Sequence, residues 1–383
     1  MGSTVALVRC ETYDETAVHE AVGRGLELLG GATRFISPGE HVLLKPNLLV
    51  SSNPDASVTT HPSVFGAVAR HLASAGAVLS YGDSPALGRP EGVARRAGLA
   101  EVAAELDIPF ADFTNGRQIS APDGRVVKRW FIAEGVLAAD AVVSLPKMKT
   151  HALTRVTGAV KNQFGCIPGA RKGEFHARMP DIRAFAQMLV DLCAAIAPRL
   201  YVMDGIVAME GNGPRGGDSR PVGVLLLSDD PVALDATACR LMDLDERLVE
   251  TVVLGQESGL GTFEDVAIVG DPIEEAAAQG FVANRRHGST TGPANGVAAW
   301  LARTFIVPRP FIVSGRCTCC GTCVNVCPVE PKAVGWVERG DGRRAFPPEH
   351  DYKRCIRCYC CQEMCPERAI EVSVPPLGRI VHR

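Results

Sequence analysis

The sequence predicts an α/β fold, a mostly parallel sheet with helices on both faces, followed by a small C-terminal α+β domain built on cysteines. Three observations predict it. Short apolar runs bounded by turn residues alternate with longer stretches of helical period. Four of the apolar runs end in polar or charged clusters. Ten of the 14 cysteines crowd between Cys317 and Cys365.

The elements follow in order. TVALVRC (4–10) reads as a strand, AVHEAVGRGLELLGG (17–31) as a helix and HVLLKPN (41–47) as a strand. HPSVFGAVARHLASAG (61–76) is a helix and AVLSYGD (77–83) a strand, and ADAVVSLPK (139–147), RLYVMDG (199–205) and VGVLLLS (222–228) are further strands. Asp229 and Asp230 before Pro231 cap the next helix, since proline favours the first helical position. GVAAWLARTFIVPRPFIV (296–313) is broken by Arg303, Arg309 and two prolines, and reads as a packed connector rather than a membrane contact. The domains predicted are 1–285, a substrate-binding and catalytic unit, 286–312, a connector, and 313–383, the cysteine domain.

Composition narrows the class. Hydrophobic residues make up 46% and charged residues 22%, with a formal net charge of −3, as in a globular protein with no global attraction to nucleic acid. The start, MGSTVALVRCE, has no basic leader or cleavage pattern, and no apolar run reaches a membrane-spanning length, so a cytoplasmic protein without a membrane partner is expected.

The cysteines carry the strongest signal. CTCCGTCVNVCP (317–328) and CIRCYCCQEMCP (355–366) both follow Cys-x2-Cys-x2-Cys-x3-Cys-Pro. Three cysteines in such a run wrap one iron–sulfur cube, and the cysteine before proline reaches to the other cube. That assigns Cys317, Cys320, Cys323 and Cys365 to one [4Fe–4S] cluster, and Cys355, Cys358, Cys361 and Cys327 to a second. A zinc ribbon has no use for the third cysteine or the Cys-Pro ending. Cys319 and Cys360 are surplus, and are expected to be free thiols beside the clusters. The two runs resemble bacterial-type two-cluster ferredoxins over about residues 313–373, with an added hairpin around Gly340–Gly342.

The polar strand ends point to one site. Lys45-Pro-Asn47, Gly82-Asp83-Ser84-Pro85, Lys147-Met-Lys149-Thr-His151 and Asp204-Gly205, the last running on to MEGNGPRGG (209–217), fall at the carboxyl ends of strands, where open parallel sheets bind ligands. Lys147, Lys149, His151, Arg155 and Lys161 lie within fifteen residues with no carboxylate between them, a local positive field. We expect Lys147, Lys149 and Lys161 to hold an anion and His151 to deliver a proton. Lys45, Asn47, Asp83, Ser84, Arg155, Asn162, Asp204, Glu210 and Asn212 are expected to contact the substrate.

KPN (45–47), THP (60–62), GDSP (82–85), PKMKTH (146–151), GAVKNQFG (158–165), DGIVAMEGNGP (204–214) and DPVALDAT (230–237) resemble the domain of unknown function 362 family over roughly residues 1–270. Members of that family often end in a two-cluster ferredoxin module. The resemblance implies the domain layout and the choice of site residues, and supplies no reaction. The expected function is a reductase: an external low-potential donor of ferredoxin or flavodoxin type feeds the two clusters, and a small anionic enone, quinoid or aromatic molecule accepts the electrons. One alternative adds a flavin, its phosphate on the 209–217 loop or the basic stretch, although no dinucleotide motif follows the first strand. The other is an electron carrier or cluster-handling partner with no substrate of its own.

Overall fold

The computed structural model describes residues 2–169, 171–285, 301, 304–337 and 347–381. The expected hairpin around Gly340–Gly342 and most of the 286–312 connector lie outside the described residues. The main sheet runs in the order Val266–Gly270, Ser3–Arg9, Asp218–Ser228, Leu200–Glu210, Ala141–Leu145, His41–Pro46, Val78–Tyr81. All neighbours along it pair in parallel except those of Asp218–Ser228, which is antiparallel to both. The sheet is therefore mostly parallel, with one reversed strand that sequence patterning did not distinguish.

Period-two alternation sorts each strand between two cores. On one face, Val5, Leu7, Leu43, Tyr201, Met203 and Leu226 pack with the helices Ile182–Ile196, Pro231–Leu241 and Glu250–Glu257. On the other, Ala6, Val8, Val42, Leu44, Val202 and Leu227 pack with Glu15–Leu28 and Pro62–Ser74. Strands buried on both faces read as continuous apolar runs, as these do. The Asp230 side chain caps Pro231–Leu241, accepting from the Val232 and Ala233 amides.

The C-terminal part is a small α+β unit. Arg309–Ile312 pairs antiparallel with Ile370–Ser373, and Val334–Gly335 with Glu349–His350. Short helices, Thr322–Asn325 and Cys360–Met364, follow the first turn of each cysteine run. The runs repeat in backbone as well as in sequence. Cys319 matches Arg357 and Gly321 matches Tyr359, and all four have positive φ, between 58° and 76°. The surplus cysteines are not equivalent, since Cys360 matches Thr322.

This unit docks on the carboxyl end of the main sheet. Gln362 Nε2 donates to Asn212 O (3.0 Å), Asn212 Oδ1 (2.9 Å) and Gly213 O (3.2 Å). Asn212 Nδ2 donates to Ile370 O and Arg215 to Met364 O. Met364 itself packs among Val50, Val58 and Met209.

Candidate functional site

The strands ending at Pro46, Tyr81, Leu145 and Glu210 are mutually parallel neighbours, so their polar ends meet. They meet largely by neutralising one another. Lys45 Nζ lies 2.8 Å from Asp83 Oδ1, and Asp83 Oδ2 accepts the Leu48 amide. Lys147 Nζ lies 2.7 Å from Asp204 Oδ2 and 2.6 Å from the Tyr13 hydroxyl. The Tyr13 hydroxyl donates in turn to Asp204 Oδ1, while the ring stacks on His61. The stretch from 147 to 161 contains no carboxylate, but the fold brings Asp204 to it from another strand and Glu363 from the cysteine unit.

Lys149 and Lys161 are different. Lys149 Nζ donates to two neutral acceptors, Asn47 Oδ1 and Val58 O, each at 2.6 Å. Lys161 is buried, with no hydrogen bond or ion pair among the described residues. Burial lowers both amines; Lys149 is held well below the usual lysine range, with the charge of Lys161 adding to the effect. The turn carrying Lys161 is held from beneath: Asp235 accepts the Ala159 and Val160 amides, and Gly158 (φ 64°) passes so close that a Cβ there would lie 2.3 Å from the Asp235 carboxylate. Asn162 closes the seam between strands by bonding Asn47, Ser144 and Lys45 O.

These groups open onto one cavity of about 790 Å³. The sheet side of its wall includes Asn47, Asp83, Ser84, Lys149, Lys161 and Asn162. The cysteine unit completes it with Asn325, Val326, Cys327, Pro328, Cys360, Glu363 and Met364. Of the residues expected at the site, Lys45, Lys147, His151, Arg155, Asp204, Glu210 and Asn212 are not on this wall. Arg155 instead bonds Leu248 O and Asn284 O, and Glu210 accepts the Val282 amide. The Gly-rich loop is likewise turned to the cysteine unit, and its Asn212 and Arg215 are spent on docking.

His151 stands behind the wall. Its Nδ1 accepts the Leu153 and Thr154 amides, which leaves the proton on Nε2, 3.5 Å from Glu363 Oε1. Burial pushes this imidazole down to about 4, with the charge of Lys161 next in effect. Burial opposes the charge of Glu363, but Lys161, His151 and His176 outweigh it and hold the carboxyl well below the usual range.

Four polar wall residues that the site uses escaped sequence reasoning: Thr157, His176, Lys172 and Glu363. His176 is stacked on Phe185 and pushed by burial down to about 4. Lys172 donates to Ser84 O, Ser84 Oγ and Ile167 O, and burial lowers it to about 8. GARKGEFHAR (169–178) looks like a solvated surface helix by composition, and only its place over the strand ends reveals its role. Glu363 lies inside a cysteine run, where the ligand spacing draws all attention.

Neutral buried histidines make stability pH-dependent. An imidazole at about 4 in the folded chain and near 6.5 in the unfolded one binds its proton more readily when unfolded, so stability falls as pH drops from about 6.5 towards 4. His151 and His176 should each cost roughly 1–3 kcal/mol over that window. Urea unfolding at pH 7.5 and 4.5 measures it, and a double His151→Gln, His176→Gln variant should flatten the slope.

Two smaller cavities lie within the cysteine unit. One is lined by Cys317, Cys320, Cys323 and Cys365, the other by Cys327, Cys355, Cys358 and Cys361. These are the two crossed sets of four. Cys319 and Cys360 line neither. The remaining walls are mainly apolar, with Ile312, Ala369 and Ile370 in the first and Pro310, Val329 and Val334 in the second. Among the described residues no three His, Cys, Asp or Glu side chains converge on a point that would hold a single ion.

Among the described residues no helix is long and apolar enough to cross a membrane. The profile of a family described as a domain of unknown function (DUF362) matches residues 42–240. A thylakoid-associated protein of Synechocystis sp. is 40% identical over 261 residues, which is 68% of this chain and 81% of that protein. Among solved structures, the apoprotein of lactate racemase from Thermoanaerobacterium thermosaccharolyticum aligns at a TM-score of 0.40 and 12% identity. That alignment spans 63% of this chain and 57% of the racemase.

Proposed function

The chain belongs to the DUF362 family, and from that premise we propose that it is a ferredoxin-coupled iron–sulfur oxidoreductase that reduces an anionic, unsaturated or quinoid molecule in the large cavity. One observation carries this reading: Cys327 lines both a four-thiol cavity and the large cavity. Two [4Fe–4S] groups, one per four-thiol cavity, would supply one-electron chemistry at low potential. Cys317, Cys320, Cys323 and Cys365 would hold one, and Cys355, Cys358, Cys361 and Cys327 the other.

The chain's own groups set the polarity of the site. Cys320 is exposed and Cys317 half-buried, so their side of the unit faces an external donor. Cys327 is buried and faces the substrate cavity. Lys149 and Lys161 hold the anion, because a buried lysine with no carboxylate in hydrogen-bond reach is costly to charge and a bound anion relieves that cost. His176 is on the wall, its Nδ1 unbonded among the described residues, and as a neutral imidazole it takes by hydrogen bonding the place at the substrate that sequence gave to His151. His151 acts through Glu363, as a positioning residue. Ten cysteines this close together also call for a reducing compartment, in keeping with the cytoplasm.

Anaerobic purification with metal and sulfide analysis tests the reading. About eight irons and eight labile sulfides per chain are expected. The spectrum should bleach with dithionite and recover on adding a naphthoquinone sulfonate. A single zinc per chain, or a spectrum indifferent to dithionite, overturns it.

A further inference from the structure

The large cavity has more room than a small acid needs, and its polar groups are not spread evenly. Thr157, the residue before the turn Gly158–Asn162, and Lys161 within it both line the cavity. Thr157 Oγ1 and His176 Nδ1 are buried and have no hydrogen-bond partner among the described residues, and both residues line the cavity. Lys161 lines the same cavity and makes no hydrogen bond or ion pair among the described residues. Buried donors and acceptors are almost always satisfied in native proteins. Two buried polar atoms without a hydrogen bond and a buried ammonium without one, all in the wall of one cavity, form a seat for an oxyanion.

The rest of the wall is of another kind. Leu49, Leu87, Phe164, Val326, Pro328 and Met364 supply it, from the sheet side and from the cysteine unit. A volume of about 790 Å³ lies within the range of roughly 300–1,000 Å³ that encloses a drug-sized ligand. Acetate or benzoate would fill only the polar seat and leave the apolar wall wet.

We infer that the substrate is an amphipathic carboxylate: one oxyanion head seated on Lys161, Thr157 and His176, and an extended apolar, ring-bearing body lying along the Leu49, Phe164 and Val326 wall towards Cys327. This deepens the reading of the cavity as the substrate site and rests on it.

The test is calorimetric titration of the full chain, purified anaerobically, with 9-anthracenecarboxylate, 9-anthracenemethanol and benzoate. The anthracenecarboxylate should bind at least tenfold more tightly than either of the others, since only it offers both the head and the body. Lys161→Ala should weaken the carboxylate at least tenfold and leave the alcohol within about twofold; Thr157→Val, which keeps the shape of the turn, should weaken the carboxylate alone by several-fold. Equal affinity for the acid and the alcohol, or a Lys161→Ala variant that binds the acid as before, overturns the inference. Iron and sulfide measured on the same sample keep the two readings apart. A full complement with no preference for the acid sinks the amphipathic carboxylate and leaves the oxidoreductase, whereas preference for the acid in a chain that cannot hold iron does the reverse.

Discussion

Cys327→Ser should remove about half of the iron, leave the other proposed cluster reducible by dithionite, and abolish turnover. The expectation follows from the place of one sulfur. Cys327 is twenty-eight residues from Cys355 in sequence, yet it lines the cavity of Cys355, Cys358 and Cys361 rather than that of its own run. Its replacement should therefore strip the cluster beside the substrate, and Cys365→Ser should strip the cluster on the exposed side. Both variants end turnover, but by paramagnetic resonance they retain different clusters. Cys319→Ser and Cys360→Ser should keep all the iron, because neither sulfur lines a four-thiol cavity. Loss of iron on replacing Cys360 would show that the ligand sets are wrong.

How far the sequence could be read varies with the range of the interaction. Strands such as His41–Pro46 and Ala141–Leu145 were legible because burial on both faces leaves an uninterrupted apolar run. The reversal of Asp218–Ser228 was not, because its run VGVLLLS is as apolar as a parallel strand and direction leaves no trace in composition. The two groups of four cysteines that line the small cavities were legible because their spacing lies within two short runs of the chain itself. Electrostatic pairing leaves no such mark. Lys147 and Lys149 are two residues apart, both buried, and look alike in the sequence; the first meets Asp204 from a neighbouring strand and the second meets only amide oxygens. Asn212 sat in a loop that suggested a phosphate site, and its true neighbours, Gln362 and Ile370, lie about 150 residues away.

The same contrast gives different outcomes for two lysines of one basic stretch. Lys147→Ala should destabilise the chain by about 3–5 kcal/mol, because it leaves the fully buried Asp204 carboxylate without its cation. The Tyr13 hydroxyl and the His61 amide still donate to that carboxylate, so the loss stays within this range rather than beyond it. Lys161→Ala should cost less stability than Lys147→Ala, since among the described residues Lys161 makes no hydrogen bond or ion pair and loses only its longer-range attraction to Glu363. Its main cost falls on function: a charge-assisted contact to a bound anion is worth roughly 1.5–3 kcal/mol, or ten- to a hundredfold in turnover. Urea unfolding and steady-state rates on the two variants separate the roles. A stable Lys147→Ala that has lost only activity would return that residue to the substrate site. An unstable Lys161→Ala would make its ammonium a structural partner of Glu363, and the anion would then rest on Lys149 alone.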